Sequence, residues 1–135
     1  MKRGPIGLFA AVAIAGCSAG GDHERASPSR GAESAAAAVI VRLDGDLRAG
    51  RYDDVCDALF SPRARREAGG ARCARALQAQ TVGVTQPRVQ LSSVRVRGGT
   101  ARAAVRVTSA DRPAADQTIV LVRAGTTFKI AGLSG

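Results

Sequence analysis

With 135 residues, the chain has the length of one domain with a modest hydrophobic core. Its formal charge of +9 is carried almost wholly by Arg and stays positive once Lys2 and Arg3 are set aside, which suits anionic partners such as lipid headgroups or wall polymers, although GC-rich coding yields the same Ala, Gly and Arg excess. Aromatic residues at 3% leave almost nothing on which nucleic-acid bases could stack, and a single His leaves little for triad or metal chemistry.

The first segment has the layout of an export signal. Lys2 and Arg3 precede an apolar stretch from Ile6 to Ala15 that is too short to span a bilayer. It ends in Ile14-Ala15-Gly16-Cys17, which resembles the lipobox of bacterial lipoproteins. The resemblance implies cleavage before Cys17, a diacylglyceryl group on its sulfur, and attachment to the extracytoplasmic face of the cell membrane. An ordinary signal cut near Ala15 or Ala19 is the alternative. Residues 17–32 read as a flexible tether rich in Ser, Gly and charge, in which His23 sits between Asp22 and Glu24 with no assigned role.

Residues 33–135 read as the folded domain. Once Cys17 is acylated, two cysteines remain in an oxidising compartment, so Cys56 and Cys73 are expected to form a disulfide. Their spacing does not fit a Cys-x-x-Cys redox or metal unit.

From Glu33 to Ala49, Val39, Ile40, Leu43 and Leu47 recur at three- and four-residue steps, predicting an amphipathic helix closed by Gly50. Asp53 or Asp54 is expected to cap a second short helix carrying Val55, Cys56, Leu59 and Phe60 on one face. Ser61-Pro62 reads as a new helix entry, Gly69-Gly70 as its end, and Arg72 to Ala79 as a last helical piece in which Cys73 and Leu77 share a side.

Beyond Thr81 the period becomes two. A Gly98-Gly99 turn joins a strand through Val89, Leu91, Val94 and Val96 to one through Ala101, Ala103, Val105 and Val107. With Arg97 opposite Thr100, the parity slip at Ser92-Ser93 calls for a bulge in which two residues face Ala104, putting Leu91 against Val105 and Val89 against Val107. A loop at the same place is the alternative. Residues 109–116 form a loop around Pro113, residues 117–123 a strand apolar on both faces, and Phe128 and Ile130 the buried side of a final strand after a turn at residues 124–126. Helices first and antiparallel strands after make an α+β domain.

Gly50-Arg51-Tyr52-Asp53 with Leu59-Phe60-Ser61-Pro62, then residues 99–105 and the closing stretch 121–133, resemble small exported NTF2-like domains. The resemblance implies helices packed on a curved four-stranded antiparallel sheet, a cone whose mouth holds a small ligand, and sheets that can pair into a homodimer. Catalytic members of that superfamily use Asp, His or Tyr in the cone. Here the sheet half has no His, Tyr or Glu, and its carboxylates, Asp111 and Asp116, flank Pro113. Tyr52, Asp53, Asp54 and Asp57 cluster where the second helix begins, and helix capping is the favoured role for those acids.

Three functions follow as expectations. The favoured one is a non-catalytic lipoprotein domain that binds an envelope protein or small apolar ligand, without cofactor, metal or nucleic acid. The second is an electrostatic module touching anionic polymer or lipid through Arg88, Arg95, Arg97, Arg102 and Arg106, with Arg95 opposite Arg102. The third is a small hydrolase or isomerase using Tyr52 and Asp57.

Overall fold

The computed structural model describes residues 28–134, so the lipobox, Cys17, His23 and most of the expected tether lie outside the described residues. Helix α1 spans Pro28–Arg48, a turn and more longer at its start than residue 33. Residues 28–32, expected in the tether, are helical instead. Pro28 occupies the first helical position, where a missing N–H costs nothing. Ala32 and Ala36, both buried, extend the stripe of Val39, Ile40 and Leu43 by two further steps. At the other end Gly50 adopts φ 71°, and the Arg51 N–H returns to the Asp46 carbonyl at 2.8 Å, closing the helix as a Schellman-type cap.

The short helix α2, Tyr52–Asp54, opens directly into a wide π turn, Val55–Leu59, whose last bond runs from the Phe60 N–H to the Val55 carbonyl at 3.0 Å. Asp53 and Asp54 do not cap it; they lie inside its first turn, and Arg51 precedes it without a side-chain cap. The π turn buries Val55, Cys56 and Leu59 together. Helix α3, Pro62–Glu67, begins as the sequence indicates: the Ser61 hydroxyl accepts the Ala64 N–H at 3.1 Å. Gly69, at φ 121°, ends that segment and a single 3₁₀ turn leads into α4, Cys73–Thr81. Cys56 and Cys73 are joined by a disulfide, tying the π turn to the first residue of α4.

Four antiparallel strands follow, β1 Arg88–Arg97, β2 Thr100–Thr108, β3 Ala115–Ala124 and β4 Thr127–Ser134, in the order β1-β2-β3-β4. The first hairpin has the expected register: Arg97 faces Thr100, Val94 faces Ala103, Leu91 faces Val105 and Val89 faces Val107. The register shifts between Leu91 and Ser93, so the strand continues through a bulge at Ser92. Strand β3 starts two residues earlier than expected, because Ala115 and Asp116 already pair with Val107 and Arg106.

A second bulge was not foreseen. Leu121 faces Ile130 but Val120 faces Gly132, leaving Ala131 as the extra residue. Phe128 and Ile130 are thereby buried and Leu133, opposite Ile119, is brought to the same face.

One face of the sheet is buried: Ala101, Ala103 and Val105 are nearly inaccessible while the intervening Arg102 and Arg106 are exposed. The core is one cluster in which Ala36, Val39, Ile40 and Leu43 of α1 meet Val55 and Leu59 and the inner positions of β2, β3 and β4. Two carboxylates sit at its border. Asp44 accepts the Val89 N–H at 2.8 Å and takes Arg48 and Arg88 at 3.2 and 3.4 Å. Asp46, 2% exposed, is held by Arg51 at 3.0 Å and by Arg42 at 3.7 Å. No helix among the described residues is long and apolar enough to cross a membrane.

Candidate functional site

The core does not close completely. Between the helices and the inner face of the sheet is an apolar cavity of about 370 Å³. Leu43 and Leu47 come to it from α1, Val55 from the π turn and Leu77 from α4; Val89, Val107, Ile119 and Ile130 form the sheet side. Each has a local cause. The heptad-like spacing of α1 aims both leucines inward, the π turn widens just enough to present Val55, and the Ser92 bulge keeps Val89 on the inner face. The Ala131 bulge does the same for Leu133, which is 68% exposed and stands at the mouth.

Two polar side chains line this space, Glu67 and Gln117. The Glu67 carboxylate already accepts Arg63 Nε at 2.9 Å, one turn away on α3. Gln117 lies at the outer end of the inner sheet face, opposite Val105. The wall is therefore suited to removing hydrocarbon from water, and it offers one amide and the edge of an ion pair for orientation.

The acid and phenol proposed for hydrolysis do not come together here. The Tyr52 hydroxyl is 2.8 Å from Thr81 Oγ1, whose own proton goes to the Gln78 carbonyl at 3.0 Å, so Tyr52 is the donor. It faces a separate depression of about 230 Å³ shared with Asp53. Asp57 is exposed and paired with Arg65 at 3.0 Å. Neither side chain lines the apolar cavity. The apolar cavity therefore offers neither Tyr52 nor Asp57 to a molecule bound in it, and an acid or base must lie within hydrogen-bond reach of the proton it moves. Among the described residues, no group of three or more His, Cys, Asp or Glu could hold a metal ion.

The five-arginine face also divides. Arg88 pairs with Asp44, and Arg106 reaches Asp116 at 3.4 Å. Both therefore have an acidic partner within the fold, Arg88 sharing Asp44 with Arg48. Arg95, Arg97 and Arg102 remain, and with Thr100 they surround an open concavity of about 530 Å³. Arg95 does stand opposite Arg102.

Sequence periodicity does not mark every residue that shapes the fold around the cavity. Asp44 and Asp46 stand beside Leu43 and Leu47 in the helical pattern, where they read as polar neighbours, and only the fold shows their burial. Leu133 is out of step with Phe128 and Ile130, so strand parity alone would place it on the other face. Compared with protein-family models, with curated proteins and with solved structures, the chain matches none.

Proposed function

We propose that this chain is a lipid-anchored, extracytoplasmic binding protein that holds a small apolar molecule, without catalysis, in an NTF2-like cone. Cys17 at the end of the apolar signal supports the anchor, and the disulfide supports an oxidising compartment. A cone is supported by the α+β order, by burial of one sheet face, and by two bulges, each of which bends its strand.

The observation that carries the binding role is the cavity. Its volume of about 370 Å³ falls at the small end of ligand pockets, and its walls are aliphatic apart from Glu67 and Gln117. Ala68 lies on this wall at the end of α3. An apolar fluorophore such as N-phenyl-1-naphthylamine should brighten on the full chain in a saturable way, and Ala68→Phe or Leu77→Phe should weaken it at least tenfold with the thermal midpoint nearly unchanged. Equal brightening with both fillers would overturn the assignment. Mass of the protein extracted from membranes tests the anchor separately: a diacylglycerol-sized addition on Cys17 is expected, and an unmodified chain cut elsewhere removes that half.

A further inference from the structure

On the outward face of the β1–β2 hairpin the register sets Arg95 against Arg102 and Arg97 against Thr100, with Cα atoms across an antiparallel pair only about 5 Å apart. Like charges directly opposite one another destabilise a sheet. Elsewhere on this face the fold supplies an acid, Asp44 for Arg88 and Asp116 for Arg106. Around the hairpin end it supplies none: Arg95, Arg97 and Arg102 make no ion pair among the described residues, and all three are exposed. Three planar guanidinium forks and a hydroxyl around one concavity match the oxygens of a phosphate group.

We propose that Arg95, Arg97, Arg102 and Thr100 bind a phosphate-type oxyanion, supplied by the headgroup of an anionic phospholipid. The neighbouring strand argues for lipid as the source. Val120 pairs with Arg102 and Val122 with Thr100, so half-buried aliphatic side chains border the cationic cluster on the same face. A headgroup with its glycerol and first methylenes meets both surfaces, whereas a free hydrated phosphate uses only the arginines. The choice of lipid rests on the membrane anchorage proposed above; the oxyanion site does not, and the apolar cavity plays no part in the test.

The full chain is placed in phosphatidylcholine nanodiscs with or without phosphatidylglycerol, each carrying a headgroup spin label, and backbone amide broadening is followed by NMR. Broadening at Thr100 and the flanking hairpin amides is expected only with phosphatidylglycerol, and it should weaken as salt rises to 0.15 M, where the Debye length is about 8 Å. Replacing all three arginines by Gln should abolish it, each cation being worth about fivefold at an anionic surface. Arg75→Gln, on α4 beside the Tyr52 depression, should leave it intact.

The same chain in non-ionic detergent is titrated with inorganic phosphate. Shifts at Thr100 with phosphate but no broadening in phosphatidylglycerol discs overturn the lipid source. Equal responses from the triple variant and the parent, or no response to either probe, overturn the site. Without an anion, Arg102→Gln should be at least as stable as the parent, because it removes the repulsion; a marked loss of stability would identify Arg102 as a structural residue and count against the proposal.

Discussion

Asp44 holds a backbone N–H of an edge strand from the side of a helix, with the Val89 nitrogen 2.8 Å from its carboxylate. A buried hydrogen bond to a charged acceptor contributes about 1.5–3 kcal/mol, while its exposed arginine partners add little. Asp44→Ala should therefore cost about 2 kcal/mol in urea unfolding, and Asp44→Asn, which keeps an acceptor, clearly less. Asp111 plays a related part between loops. Its carboxylate accepts the Thr85 N–H at 3.1 Å, and that bond, with further help from Ser109 and Arg112, holds it below the ordinary aspartate value. The folded state thus releases this proton more readily than the unfolded chain does. Its contribution is complete at neutral pH and is lost as pH falls below the ordinary aspartate value and through the lowered folded one. Carboxyl NMR titration should show the depression, and Thr85→Pro, which removes the largest contributor, should reduce it. Neither of these backbone bonds was legible in the sequence, because each donor lies at least 26 positions away and offers only a main-chain N–H, which no residue type marks.

Among the elements, β1 was the most fully readable. Two parities in one ten-residue strand admit a single bulge if the inner face is to stay apolar, and the register shift falls at Ser92. Deleting Ser92 removes the extra residue and should leave a regular ladder with Val89 and Leu91 still opposite Val107 and Val105 and stability little changed, whereas deleting Gln90 should carry Val89 to the solvent side and cost about 1–2 kcal/mol; a Ser92 deletion that lost several kcal/mol would mean that the bend at the bulge is itself required. The same parity argument applies to β4, yet Ala131-Gly132 conceals it, since neither residue has enough side chain to declare a face. Helix α1 was read short for a similar reason. Ala32 and Ala36 are buried alongside its branched residues, but side chains this small carry little weight in a hydrophobic pattern. The π turn had no signature in the sequence; it holds Cys56 against Cys73 while keeping Val55 and Leu59 inside.

For the whole molecule, that disulfide is the largest single constraint. It closes a loop of 17 positions, worth about 3 kcal/mol in the chain-entropy account. A small domain has a margin of only about 5–15 kcal/mol. The Cys56→Ala, Cys73→Ala double variant should unfold at visibly lower denaturant, and because the cross-link joins the Val55 and Leu77 sides of the cavity, fluorophore binding should weaken before the fold is lost. The pairing was legible by counting cysteines. The cavity was not, because its wall is assembled from short segments scattered between residues 43 and 133, each of which reads as ordinary core on its own.

The way the sheet ends has a bearing on self-association. At β4, Phe60 bridges to Ile130, the Ser61 N–H bonds the Ile130 carbonyl at 2.8 Å, and the Lys129 ammonium caps the Ala58 carbonyl. At β1, the Asp44 carboxylate occupies the Val89 N–H. A second copy approaching either margin meets backbone groups that are already engaged, and the open part of β1 carries Arg95 and Arg97, whose charge repels its own image. Strand-to-strand zippering, the common route from a small β-rich domain to fibrils, is thus hindered at Val89 on one border and at Ile130 on the other.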